Sequence, residues 1–269
     1  MSETPDLPVP SADVVADDHL FAAWAATVAG ELLTEVRTQG LEGKELKDAG
    51  DQAAQELLMQ VLAAHRPDDS VLSEESRATH VDKQRLDADR VWIIDPLDGT
   101  REFSEPPRED WAVHVALWAR TGEGTGELVA GAVAQPGLHT TFHTGEPPVV
   151  PARTSERPRI AVSRTRPPAF VQAMAEEIGA DLVPMGSAGA KVISVARDVT
   201  DAYVHAGGQY EWDSAAPVAV ARAAGLHTSR VDGTPLLYNQ REVLLPDLVV
   251  CRRELAQDIL DYVRTHGTG

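Results

Sequence analysis

Leu20, Ala23, Trp24, Thr27, Val28, Leu32 and Val36 recur at helical spacing, which predicts an amphipathic helix with Asp17 or Asp18 as its N-cap and Gly40 beyond its end. A second amphipathic helix is expected from about Asp48, through Ala53, Leu57, Leu58, Val61 and Leu62, stopping before Pro67. Val71-Leu72 reads as a short strand. Val91-Trp92-Ile93-Ile94 is an unbroken apolar run, the pattern of a strand covered on both faces. Segments 111–118, 128–134 and 138–143 read as antiparallel strands, with Gly122, Gly124 and Gly126 as turn material. The stretch 145–158 is rich in proline and polar residues. It is the expected boundary between an N-terminal half, 1–150, and a C-terminal half, 151–269. Beyond it, strands at 159–162, 181–184, 202–205 and 248–251 alternate with helices at 168–178, 188–197, 214–224 and 254–264. That alternation predicts a layered α/β structure.

Charge narrows the partners. The chain has 269 residues and a formal net charge of -18. So acidic a surface repels nucleic-acid polymers and anionic membranes. It also repels a small phosphorylated substrate, unless bound metal ions supply local positive charge. The single cysteine, Cys251, excludes an intrachain disulfide and follows the apolar run Leu248-Val249-Val250, so it reads as a buried hydrophobe in a reducing compartment. No stretch approaches the roughly 18 apolar residues of a membrane span. Residues 1–15 are acidic and lack the basic start and apolar centre of a signal peptide, so they read as a frayed leader on a cytoplasmic protein.

The chemistry concentrates where the apolar run 91–94 meets Asp95-Pro96-Leu97-Asp98-Gly99-Thr100. A buried strand that ends in two carboxylates needs a cation to offset their desolvation. Proline ends the ladder and turns the chain, so Asp95, Asp98 and the Leu97 carbonyl converge as hard oxygen donors suited to magnesium. Gly99-Thr100 would open a short helix whose amides face an anion. Read alone, the motif is equally a capped turn with surface acids. Ser73-Glu74-Glu75 puts another carboxylate at a strand end. Asp213, in Glu211-Trp212-Asp213, reads alone as the N-cap of the following helix, and Asp51 as an acid in the first turn of its own.

Together, Ser73-Glu74-Glu75, Asp95-Pro96-Leu97-Asp98-Gly99-Thr100 and Trp212-Asp213-Ser214-Ala215-Ala216 resemble the signature of the inositol monophosphatase superfamily, in order and over nearly the whole chain. The resemblance implies an αβαβα layered sandwich and phosphomonoester hydrolysis with two or three magnesium ions. It assigns Glu74, Asp95 and the Leu97 carbonyl to a first ion, and Asp95, Asp98 and Asp213 to a second. Asp51 and Thr100 match the pair that orients and deprotonates the attacking water. Gly99 and Thr100 match the phosphate-cradling amides. Gly50 departs from the family's usual Thr-x-Ala-Asp run around Asp51.

Within the superfamily, Thr100-Arg101-Glu102-Phe103 looks like the Lys-Glu-Phe version of the CysQ-type bisphosphate nucleotidases, and Gly186-Ser187-Ala188-Gly189-Ala190-Lys191 like their Gly-Ser-x-x-x-Lys segment. This implies a small phosphorylated nucleotide, 3′-phosphoadenosine 5′-phosphate, as substrate. Arg101, Ser187 and Lys191 then count among its contacts, beside Asp98 and Asp213. Ser163-Arg164-Thr165-Arg166 follows a strand and offers two guanidiniums, Arg164 and Arg166, to a second phosphate. A surface lysine, an N-cap serine and solvated arginines are the plain alternatives. Inositol 1-phosphate and fructose 1,6-bisphosphate are the rival substrates, and a non-catalytic regulatory binder the rival class. A homodimer is implied by the same analogy.

Overall fold

The computed structural model describes residues 7–75 and 83–268. The chain opens with α1 (Ala12–Ala16), α2 (Asp18–Arg37) and α3 (Gly43–His65), then runs β1 (Ser70–Ser73), β2 (Arg90–Asp98), the one-turn α4 (Thr100–Phe103), β3 (Ala112–Gly122), β4 (Thr125–Gln135) and β5 (Thr140–His143). It continues through β6 (Arg159–Ser163), α5 (Ala169–Glu177), β7 (Asp181–Met185), α6 (Ala188–Ala196), β8 (Ala202–Tyr210), α7 (Glu211–Ala223), β9 (His227–Ser229), β10 (Leu244–Cys251) and α8 (Arg253–His266). The first sheet has the order β1-β2-β3-β4-β5, with β1 and β2 parallel and the rest antiparallel. The second has the order β7-β6-β8-β10-β9, parallel from β7 to β8 and antiparallel beyond.

Strand alternation explains the layers. Trp92 and Ile94 of β2 pack on α2 and α3. Val91 and Ile93 point the other way, into a cluster with Val192 and Ile193 of α6, Ala215 and Ala216 of α7, and Tyr203 and Leu248 of the second sheet. A third cluster joins Val171 and Met174 of α5 and Leu255 and Ile259 of α8 to the far face of that sheet. The order helix, sheet, helix, sheet, helix is the expected αβαβα sandwich, with β2 buried on both faces.

Details of the helices differ from the sequence reading. In α2 the buried stripe is Phe21, Ala22, Ala25, Ala26, Ala29 and Leu33, while Leu20 is exposed, because small alanines let the helix lie close on the sheet. Asp17 is the N-cap, accepting from the amides of His19 and Leu20. α3 starts at Gly43 rather than near Asp48, after Glu42, whose side chain makes no capping bond. Residues 12–16 form α1, Leu7 and Val14 pack beside the helical core and Pro10 is buried, so the expected frayed leader is ordered from Leu7 onward, while residues 1–6 lie outside the described residues. Among the described residues, no helix is long and apolar enough to cross a membrane.

Candidate active site

The period of two that buries β2 also sets the direction of its last residues. Asp95 stands opposite His114 of β3, on the side facing α7, and the ladder then shifts register until Asp98 meets Ala112. Pro96 therefore interrupts the pairing without ending the strand, which runs to Asp98. In the turn, the Leu97 amide donates to Asp95 Oδ1 at 3.1 Å and the Leu97 carbonyl accepts from Thr100 Oγ1 at 3.1 Å. Gly99 follows at φ +84, and a Cβ there would lie 3.0 Å from Ser187 Cβ and 3.2 Å from the Asp110 carbonyl. Only glycine can make this corner.

Asp95, Asp98 and Asp213 offer oxygens within 4.8 Å of one another. Glu74, directly after β1, shares a hydrogen bond with the Asp95 carboxyl. Burial, then the charge of Asp213, pushes Glu74 up to about 7. Asp95 is raised well above the ordinary carboxylate range by burial, then by Asp98 and Glu74. Asp98 goes the other way. Burial would raise it, but His114, the Ser187 hydroxyl and the Gly189 amide outweigh burial and hold it at about 2. Among the described residues, the ion pairs of Asp95 and Asp98 are with His114 alone. Clustered hard oxygens with so little positive charge fit a divalent cation such as magnesium or calcium.

The supporting residues come from both halves. Asp98 accepts from Ser187 Oγ and from the amides of Ala188 at 3.2 Å and Gly189 at 2.6 Å, the N-terminus of α6. Ser187, expected to meet substrate, thus uses its hydroxyl hydrogen on Asp98, while its oxygen caps the Ala190 amide. Asp213 is not the N-cap of α7. That is Tyr210, and Asp213 is the third helical residue, accepting from the Tyr210 amide at 2.6 Å in a capping box. Asp51 lies in the interior of α3, so the first-turn reading fails. Its Oδ1 is 3.3 Å from Thr100 Oγ1, and burial followed by the Glu75 charge pushes it up to about 6. Gly50 faces the Phe103 ring, which a Cβ would meet at 2.6 Å.

The other expected substrate contacts separate. Arg164 is held by Glu102 and Glu105 at 2.8 Å each, and Arg101 by Glu105 at 3.1 Å. Lys191 is buried, its Nζ bonded to the Ser187 carbonyl at 2.7 Å and lying 5.2 Å from the centre of the Tyr203 ring. Burial lowers its pKa. Lys191, Ser163, Arg166, Tyr203, His205 and Gln209 line a cavity of about 430 Å³. Ser163 Oγ accepts from the Arg166 amide at 3.2 Å there, and Arg166 rather than Arg164 reaches the cavity wall.

His114, which the sequence suggests only as a satisfied core or edge histidine of the strand 111–118, lies against the cage. It is fully buried, with Nδ1 3.1 Å from the Trp212 carbonyl and Nε2 3.3 Å from Asp98 Oδ2, off the line of a hydrogen bond. Burial would lower its pKa, but Asp98 outweighs that and raises it, which favours the charged form of the ring beneath the cage. The available signal was its alternation with Ala112 and Ala116, which face α7.

A five-layer α/β fold with a carboxylate cage at the end of a buried strand defines a metal-dependent phosphatase. The sequence model of the inositol monophosphatase family matches residues 17–268, and the chain belongs to that family. It is 49% identical over 256 residues to a 3′-phosphoadenosine 5′-phosphate phosphatase of Mycobacterium leprae, covering 92% of this chain and 93% of that one. It is 30% identical over 207 residues to the 3′(2′),5′-bisphosphate nucleotidase CysQ of Escherichia coli K12, covering 73% and 81%. The crystal structure of CysQ from Bacteroides thetaiotaomicron, described as a bacterial member of the inositol monophosphatase family, superposes with a TM-score of 0.70 at 25% identity, over 87% of this chain and 96% of that one.

Proposed function

We propose that this protein hydrolyses the 3′-phosphate of 3′-phosphoadenosine 5′-phosphate, giving AMP and inorganic phosphate. The carrying observation is a carboxylate cage whose Asp98 and Asp213 lie within electrostatic reach of the buried Lys191, which lines a cavity together with the exposed Arg166, cations for a second phosphate that an inositol monophosphate lacks. Relatives that match most of the chain carry the same activity in their names. Glu74, Asp95, Asp98, Asp213 and the Leu97 carbonyl would hold divalent cations, which neutralise the phosphate dianion and make water nucleophilic at neutral pH.

The chain's own part begins with Thr100. Its hydroxyl sits between Asp51 and the Leu97 carbonyl, so it can orient a water and pass the proton to Asp51. Asp51, raised to about 6, is ionised at neutral pH and basic enough to take it. His114 and the N-terminus of α6 keep Asp98 ionised and fixed in direction. Gly99 lets the backbone pass close to the phosphate.

Phosphate release from equal concentrations of the bisphosphate nucleotide, inositol 1-phosphate and fructose 1,6-bisphosphate, with magnesium and with EDTA, tests the reading. The nucleotide should have the highest kcat/KM, and EDTA should abolish turnover. A large preference for inositol 1-phosphate overturns the substrate, and EDTA-resistant activity overturns the cage. The proposal extends to magnesium as the ion, to two or three ions per chain, to a cytoplasmic setting and to a homodimer. Metal titration by calorimetry, cell fractionation and light scattering test these.

A further inference from the structure

The strand that delivers Asp213 also carries a carboxamide that the chemistry above does not use. Gln209, in β8, is 9% exposed and lines the 430 Å³ cavity. Its Nε2 donates to the Tyr203 phenol oxygen at 2.9 Å, while Oε1 is buried with no hydrogen-bond partner. An unpaired buried acceptor is costly, so its retention beside a cavity points to a donor brought by the ligand. The group is also rigid. Its backbone pairs with Leu245 of β10, and the far end of its amide is fixed by Tyr203.

Its position narrows the donor. The Tyr203 phenol that its amide holds lies within electrostatic reach of Asp98 and Asp213, so the Gln209 side chain is on the cage side of the cavity. A phosphate ester seated on the cage has its alcohol carbons nearest, and in a nucleoside 3′-phosphate those belong to the ribose. The base and the 5′-phosphate lie farther out. A phosphate dianion has no hydrogen to give to an acceptor, whereas the hydroxyl vicinal to the ester has one. A hydroxyl also suits either orientation of the amide, since it can donate or accept.

We infer that Gln209 hydrogen-bonds the ribose 2′-hydroxyl beside the scissile 3′-phosphate and so selects ribonucleotide over 2′-deoxyribonucleotide substrates. This rests on the nucleotide reading of the preceding section and adds the group that reads the sugar.

The test compares kcat/KM for adenosine 3′,5′-bisphosphate, its 2′-deoxy counterpart and its inosine counterpart, in the wild type and in Gln209→Met, with p-nitrophenyl phosphate as a substrate without a nucleoside. The wild type should favour the ribonucleotide over the deoxynucleotide by roughly tenfold or more, the worth of one well-made hydrogen bond in a site built for it. That ratio needs no variant. Gln209→Met should bring it close to one and leave the adenosine-to-inosine ratio as in the wild type, while the magnesium-induced rise in Tm shows that the cage persists. A wild type indifferent to the 2′-hydroxyl overturns the inference, as does a variant that retains the preference or loses discrimination of the base instead. Turnover of p-nitrophenyl phosphate but of no nucleotide fails the nucleotide reading itself, and the sugar contact falls with it.

Discussion

Removing divalent cations should destabilise this protein far more in mildly alkaline than in mildly acidic solution, and Glu74 sets the size of the difference. In the cation-free fold its carboxyl is raised from 4.5 to about 7 by burial and by the charge of Asp213. The fold therefore binds this proton more tightly than the unfolded chain does. That advantage is complete below the unfolded value and is lost as pH rises through about 7. At roughly 1.4 kcal/mol per unit, the loss is about 3 kcal/mol. Asp95, also raised, acts in the same direction. Asp98, held at about 2, is ionised throughout the range and drops out of the comparison. A bound cation replaces the missing counter-charge, so magnesium should offset this cost where the carboxylates are ionised and do little where they are protonated. For a chain of this size, each kcal/mol moves Tm by about 2–4 °C. The fall in Tm caused by EDTA should then be larger at about pH 8 than at about pH 5 by roughly 6–12 °C, read by scanning fluorimetry. Equal falls at the two pH values, or a larger one in acid, would refute the reasoning.

Further substitutions probe the parts separately. Asp95→Asn should abolish turnover in phosphate-release assays and remove the magnesium-induced rise in Tm, because the cage loses the carboxylate at its centre. Thr100→Ala should lower kcat by about a hundredfold to ten-thousandfold in steady-state assays. Gly50→Ala would drive a methyl to 2.6 Å from the Phe103 ring, next to Thr100, and should cost about 1–3 kcal/mol in urea unfolding together with part of kcat. Asp201→Ala should cost about 3–5 kcal/mol by the same method. It takes from the buried Arg252 one of the two carboxylates that hold it, Asp198 being the other, and weakens Arg159, with no change in the metal dependence of activity.

The fold was legible wherever alternation and burial agreed. The run 91–94 announced a strand covered on both faces, and its period carried the reading into Asp95. The start of α3 was not legible, because Glu42 and Gly43 give no side-chain cap, and Asp51 was misassigned to a first turn for that reason. The buried face of α2 was misjudged because alanines, chosen for close approach, carry a weaker signal than the larger Trp24 and Leu32 around them. β9 has three residues and too little period to register. The ordered motifs named the cage but not its supports. His114, Gln209 and the diversion of Arg164 to Glu102 depend on contacts between residues distant in sequence, which no local pattern encodes.

Asp98 belongs to the first sheet, yet the groups that grip it are the leading turn of α6, from the other half of the chain. The carboxylate thus works as a bolt between the first sheet and α6, besides its proposed part as a donor to a cation. Any motion that prises α6 from the first sheet must also unseat this ligand, and a substitution that slides α6 by a fraction of a turn would retune ion affinity without touching the cage. Affinity for the ion and the closeness of α6 to the first sheet are, in this molecule, one adjustable quantity.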